Sequence, residues 1–210
     1  MKFESIIWDW NGTLLNDVDI AVDIINELLI ARGLNRVTYQ QYLEVFTFPV
    51  RNYYKQIGFD LEREPFEIPA FQFISRYNKE VEACGLHEEV IPLLIWFQKC
   101  RCRQFILSAM EQRQLDKTVY DNGIQLFFED LCGLDNHFAT SKIENGQSLI
   151  NRRGLDPGLT LMVGDTIHDF EVARSIGCNC VLVAHGHQSK ERLLSTGAIV
   201  LNTLDEIRFL

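Results

Sequence analysis

The spacing of apolar residues changes several times along the chain, and each change marks an element. Phe3 to Trp8 is a short apolar run that stops at Asp9 and is followed by Asn11-Gly12. A β-branched and aromatic run broken by glycine predicts a buried strand and then a turn. From 17 to 32 the period lengthens. Ala21, Ile24, Ile25, Leu28 and Leu29 fall on one helical stripe, and Gly33 is placed to end it. Thr38-x-x-Gln41 has the form of a capping box, with Tyr42, Leu43 and Phe46 on one face after it. Pro65 and Pro69 predict an interrupted loop before an amphipathic stretch from Phe71 to Cys84. The region from 16 to 85 therefore reads as helical and aromatic-rich, without a convincing strand.

Beyond it, strand and helix patterns alternate. Helix 88–99 precedes a strand at 103–107, helix 111–121 ends at Asn122-Gly123, and Phe128 to Gly133 forms a short strand. Ser141-x-x-Glu144 is a second capping box and opens helix 142–153. A strand from Leu159 to Val163 runs into Gly164-Asp165, helix 168–176 stops at Gly177, and strands follow at 178–183 and 198–201. Such alternation predicts a parallel sheet with helices on both faces. The expected architecture is a doubly wound, Rossmann-like α/β core from 1–15 and 86–210, with 16–85 inserted as a helical cap.

Composition narrows the function classes. The 210 residues are 47% apolar and carry 29 acidic against 20 basic side chains, a formal charge of −9. That balance argues against a nucleic-acid partner, which needs a basic face, and against docking on an anionic membrane. The longest strongly apolar stretch, Val90 to Phe97, is too short to span a bilayer. Six cysteines are too dilute for a disulfide scaffold, and Cys100/Cys102 and Cys178/Cys180 read as small, reduced, apolar side chains. With a charged start and no signal-peptide pattern, a cytoplasmic protein is expected, as monomer or homodimer.

In an open parallel sheet, ligands bind beyond the carboxyl ends of the strands, near the point where the strand order reverses. That rule brings together Asp9, Asn11, Gly12 and Thr13 after the first strand, Ser108 and Ala109 after the second, and Gly164, Asp165, Thr166 and Asp169 after a later one. Facing carboxylates need a counter-cation, and hard oxygen ligands favour Mg²⁺. Lys142 lies in the first turn of its helix, where it opposes the helix dipole at a cost of about 0.3–1 kcal/mol. An anion in front of it resolves the conflict, and with Ser108 and a metal nearby the simplest anion is a phosphate. The three carboxylates, a divalent metal and Lys142 then sum to zero local charge before substrate arrives, so an acidic chain can hold a phosphate.

Asp9-Trp10-Asn11-Gly12-Thr13, Ser108, Lys142 and Gly164-Asp165-x-x-x-Asp169 resemble, in order and spacing, the four motifs of the haloacid-dehalogenase-like superfamily. The stretches Thr13 to Asp17 and Gly164 to Gly177 look like its phosphoglycolate-phosphatase branch. The resemblance implies that Asp9 attacks phosphorus to form an aspartyl-phosphate, and that Asp9, the backbone carbonyl of Asn11 and Asp165 bind Mg²⁺. Asp169 is a further metal candidate, although Thr166-x-x-Asp169 is also a helix-start pattern. Ser108, Ala109, Lys142 and the backbone around Gly12 and Thr13 would hold the phosphoryl oxygens. The substrate expected is a small phosphomonoester. Arg51, in the Thr47 to Arg51 loop, is a candidate contact for a substrate carboxylate, against a solvated arginine or surface ion pair. His168, His185 and His187 read as structural or solvated.

One residue departs from the pattern. Phosphatases of this kind usually carry a second Asp two positions after the nucleophile, and here the residue is Asn11. An amide neither gives nor takes a proton at neutral pH, and a general acid–base group is worth about 10²–10⁴-fold. Three readings follow: a slow phosphatase, a phosphatase for substrates with good leaving groups, or a catalytically weak protein that binds phosphorylated ligands. A phosphotransferase or phosphomutase with a long-lived intermediate is a further alternative. Steady-state assays on a generic phosphate ester should show turnover abolished in Asp9→Asn and raised in Asn11→Asp. Equal rates for wild type and Asp9→Asn would sink the mechanism.

Overall fold

A computed structural model of the chain describes residues 2–134 and 142–210. At its centre are six parallel strands: β1 (Ser5–Trp8), β2 (Arg103–Glu111), β3 (Asp130–Leu134), β4 (Thr160–Gly164), β5 (Asn179–Val183) and β6 (Ile199–Leu201). Their spatial order is β3-β2-β1-β4-β5-β6. The chain builds outward from β1 in one direction, then returns to build in the other. The reversal lies between β1 and β4, where such a sheet opens a crevice.

Alternation along the strands fills both faces. Ile6, Trp8, Ile106, Leu161 and Val163 point to one side. There they meet Val90, Leu93, Leu94 and Phe97 of α5 (Val90–Lys99) and Leu115 and Val119 of α6 (Gln112–Asp121). Ile7, Phe105, Leu107 and Met162 point the other way. They meet Leu149 and Ile150 of α7 (Lys142–Arg153) and Val172, Ala173 and Ile176 of α8 (Ile167–Ile176). This is the doubly wound α/β core that the alternating pattern predicts. Gly177 ends α8 at φ +80°, a left-handed conformation that favours glycine.

Between β1 and β2 the chain forms α1 (Val18–Ile30), α2 (Tyr39–Val45), α3 (Val50–Gln56) and α4 (Glu67–Glu80). These helices build their own apolar cluster around Val18, Ile25, Leu29, Tyr42, Tyr53, Tyr54 and Phe59. The Thr38 capping box is present in full. Two backbone contacts hold the ends of the segment together, Asn16 N–H to Gly85 O (2.9 Å) and His87 N–H to Leu14 O (3.1 Å). The far side is fastened to the loop after β5 and to α9 (Lys190–Leu194). Gln188 donates to Phe46 O (2.9 Å), and Arg192 donates to the carbonyls of Phe46 (2.5 Å) and Leu43 (3.0 Å).

Several expectations change. Pro69 lies inside the first turn of α4 rather than in a loop, since a proline there forfeits no helical hydrogen bond. Phe71, the first residue of the expected amphipathic stretch, is 72% exposed on that helix. Ser108 and Ala109 lie within β2, which continues to Glu111 through a register shift against β3, instead of following it. The Ser141 capping box falls outside the described residues. Among the described residues, no helix is long and apolar enough to cross a membrane. Phe105 is fully buried between β2 and the α7–α8 layer. Phe105→Ala is expected to lower stability by about 3–5 kcal/mol, read from urea unfolding.

Candidate active site

β1, β2 and β4 are neighbours, so Asp9 and Asp165, just past the ends of β1 and β4, lie side by side, and Ser108 inside β2 bonds to Asn11 beside them. Asp9, Asp165 and Asp169 are buried, and one carboxylate oxygen from each lies within 4.8 Å of the others. Lys142, at the start of α7, reaches into this group. Its ammonium donates to Asp9 Oδ1 and to Asp169 Oδ1, the latter at 2.5 Å. The other Asp169 oxygen takes the Thr166 N–H (3.0 Å) and hydroxyl (2.6 Å), completing the cap of α8. Asp169 thus serves the helix cap and the lysine together. Thr13 donates its hydroxyl to Asp165 Oδ1 (2.9 Å) and lies 3.3 Å from Asp9 Oδ2. The His187 N–H closes on Asp165 Oδ2 at 2.6 Å.

Charge in this enclosure is finely divided. Burial pushes Asp9 well above the usual carboxylate range, and Lys142 offsets only part of that while Asp169 and Asp165 add to it. Burial likewise pushes Asp165 up to about 6, against the pull of His187. For Asp169 burial acts upward too, but Lys142 and Thr166 outweigh it and hold the group below its ordinary value. Burial would lower Lys142, yet Asp169 and Asp9 keep it above the ordinary lysine value and charged. Three buried carboxylates around one ammonium, all offering oxygen, form a donor set with room for a hard divalent cation.

Two glycines shape the wall around Asp165. Gly12 turns at φ +74°, and a Cβ there would come within 2.4 Å of Asp165 Oδ2. A Cβ on Gly186 would come within 2.2 Å of the same oxygen. Ser108 is buried at the rim, donating to Asn11 Oδ1 (3.3 Å) and accepting the Met110 N–H (3.0 Å). Ala109 is exposed beside it. Arg51 is elsewhere: it lies on α3 rather than in a loop, exposed, with its guanidinium 6.0 Å from the centre of the Phe66 ring.

The sequence matches the haloacid dehalogenase-like hydrolase family over residues 6–183. The chain belongs to that family. Among the relatives of this hydrolase is a phosphoglycolate phosphatase of Synechococcus elongatus, 22% identical over 197 residues, which cover 91% of this chain and 89% of the relative. Another is an N-acetylmuramic acid 6-phosphate phosphatase of Pseudomonas putida, 24% identical over 194 residues, covering 89% and 85%. A predicted phosphatase from Clostridium acetobutylicum shares the fold with a TM-score of 0.82 at 15% identity, covering 100% of this chain and 98% of that one.

The structure adds residues around the hydrolase motifs that the motif pattern did not single out. Asp17, Tyr77 and His187 gather behind Asn11 and Gly12. Burial would lower His187, but Asp17 and Asp165 raise it to about 9, and Tyr42 holds its Nδ1 at 2.8 Å. Asp17 stood inside the quoted Thr13 to Asp17 stretch and was open to detection. Tyr77 is 66 positions from Asn11, and no spacing rule links the two. His185 stacks on His87 at 3.8 Å and holds the Thr13 carbonyl at 3.1 Å, a structural role at the base of the inserted helices. Gly186→Ala should displace the Asp165 carboxylate, lowering turnover by about 10²-fold in a protein whose circular dichroism remains native.

Proposed function

We propose that this hydrolase cleaves small phosphomonoesters through an aspartyl-phosphate on Asp9, with Mg²⁺ as cofactor. The observation that carries the reading is the meeting of Asp9 with Lys142, Asp165 and Asp169 at the ends of adjacent parallel strands. The names of the two curated relatives point to phosphorylated small molecules of the phosphoglycolate or sugar-phosphate kind. The inserted helices, taken as a cap over residues 16–85, would cover the substrate and exclude water.

Asp9 supplies the nucleophilic oxygen. As its bond to phosphorus forms, the ester P–O bond breaks and the leaving alkoxide takes a proton from water, because Asn11 has none to give. Lys142 and Ser108 hold the phosphoryl oxygens as charge shifts between them. Water then attacks phosphorus, the bond to Asp9 breaks, and inorganic phosphate leaves. Asp9, Asp165 and the backbone carbonyl of Asn11 would hold Mg²⁺, with Asp169 securing Lys142 and completing the acidic wall. The metal supplies positive charge to the phosphoryl group and offsets the repulsion between the carboxylates. Slow attack by water at an Asn11 site supports a second outcome, transfer of the phosphoryl group to an acceptor alcohol. The free cysteines fit a reducing cytoplasm.

A panel of phosphometabolites assayed with and without Mg²⁺ should release phosphate only with the metal, and not from Asp9→Asn. Phosphate release that is unchanged by chelation and by Asp9→Asn would overturn the proposal. The pH dependence has a definite sign. A protonated Asp165 cannot ligate metal, and its folded value near 6 lies above the ordinary carboxylate range. Without metal, its contribution to stability is full at low pH and is lost as pH rises through about 6. The rise in Tm produced by Mg²⁺ should therefore be larger at pH 7.5 than at pH 5, measured by thermal unfolding.

A further inference from the structure

The amide of Asn11 is fully committed. It donates one proton to Asp17 Oδ2 (3.1 Å) and the other to the Tyr77 hydroxyl (2.7 Å). Its carbonyl Oδ1 accepts from Ser108 (3.3 Å). The direction of each bond is fixed by chemistry. An ionised Asp17 only accepts, so the atom facing it must be the NH2 group. Tyr77 spends its own proton on Asp17 Oδ2, so toward Asn11 it too accepts. Asp17 is itself 1% exposed and held on its other oxygen by the Gly12 N–H (2.7 Å), with His187 Nε2 at 3.4 Å. Although it stands at the N-cap of α1, its side chain does not cap that helix. The carboxylate is turned back toward the Asp9 loop instead.

We infer that Asp17 and Tyr77 are positioning residues that aim the carbonyl oxygen of Asn11 at Ser108 and the phosphoryl site and keep both amide protons away from substrate. The inference rests on the phosphatase reading for what the site does, and on geometry alone for how Asn11 is held. Its consequence is that the leaving group meets an acceptor at position 11, not a weak donor. Because Tyr77 belongs to α4, the orientation of Asn11 also depends on the inserted helices being seated. A carboxylate placed at position 11 would face Asp17 directly, so the two positions form a matched amide–carboxylate pair.

Hydrogen exchange of the Asn11 side-chain amide, followed by NMR on ¹⁵N-asparagine protein, tests this without any assay of turnover. Exchange should be at least tenfold faster in Asp17→Asn and in Tyr77→Phe than in wild type, with each variant's fold checked by its backbone spectrum. Unchanged exchange in a folded Tyr77→Phe protein overturns the inference. Hydrolysis of p-nitrophenyl phosphate with Mg²⁺ supplies the functional side. Because it frees an amide N–H to hydrogen-bond the leaving oxygen, Tyr77→Phe should raise kcat about threefold with KM within twofold, and a lowered kcat in the folded variant overturns that consequence. Asn11→Asp should increase kcat at least fivefold more in an Asp17→Asn background than in wild type, a direct measure of coupling. Equal gains in the two backgrounds overturn the pairing. A wild type that hydrolyses nothing, alongside the predicted exchange rates, would refute the phosphatase reading while the positioning stands.

Discussion

The pairing of one buried lysine with three buried carboxylates is the constraint on which the rest of the structure depends. One carboxylate oxygen each of Asp9, Asp165 and Asp169 lies within 4.8 Å of the others, largely removed from water; the Lys142 ammonium bonds to Asp9 and Asp169, and the Thr13 hydroxyl lies between Asp9 and Asp165. Such a cluster is costly unless its partners are held rigidly, because a buried charge without a partner is among the most destabilising features a protein can contain. The fold meets that need by drawing each member from a different rigid element. Asp9 follows β1, Asp165 follows β4, Asp169 belongs to the first turn of α8, and Lys142 opens α7. Lys142 stands against its own helix dipole, a small penalty beside its attraction to two carboxylates.

Around that cluster the polar groups divide into two linked sets. One surrounds Asp165, where Thr13 and the His187 backbone fix the carboxylate and two glycines leave it space. The other surrounds Asp17, which gathers Gly12, Asn11, Tyr77 and His187. His187 touches both, through its N–H on Asp165 and its ring beside Asp17. Tyr77 and Tyr42 come from α4 and α2, so side-chain hydrogen bonds join the inserted helices to Asn11 after β1 and to His187 after β5. Fully satisfied networks of this kind rigidify, and the loss of any one member leaves others unpaired.

How much of this was legible in the sequence follows from the range of each signal. Strand and helix periods are local, so the parallel sheet, its two covered faces and the Thr38 cap follow from short windows. The same holds for Asp9 and Asp165, because a residue that follows a strand in a parallel sheet has little choice of location. Local reading failed where neighbours in space decided the outcome. Pro69 is accepted into a helix because it occupies the first turn, and Arg51, expected in a loop, lies on α3 near the Phe66 ring, exposed as the solvated alternative had it.

By itself, then, the order of apolar and polar residues determined the architecture, the acidic pocket and the position of the lysine, since each depends on contacts within one element or on the common direction of the strands. Only the tertiary structure decided what the side chains do once assembled. It added Lys142 as a partner of Asp169 beyond the helix cap that the Thr166-x-x-Asp169 pattern offered, turned Asp17 away from α1, and set Tyr77 against Asn11 across 66 positions of chain. The physical reason is that hydrogen bonds and charge pairs act over a few ångströms in space, and no regularity along the chain records which distant residues will be brought that close.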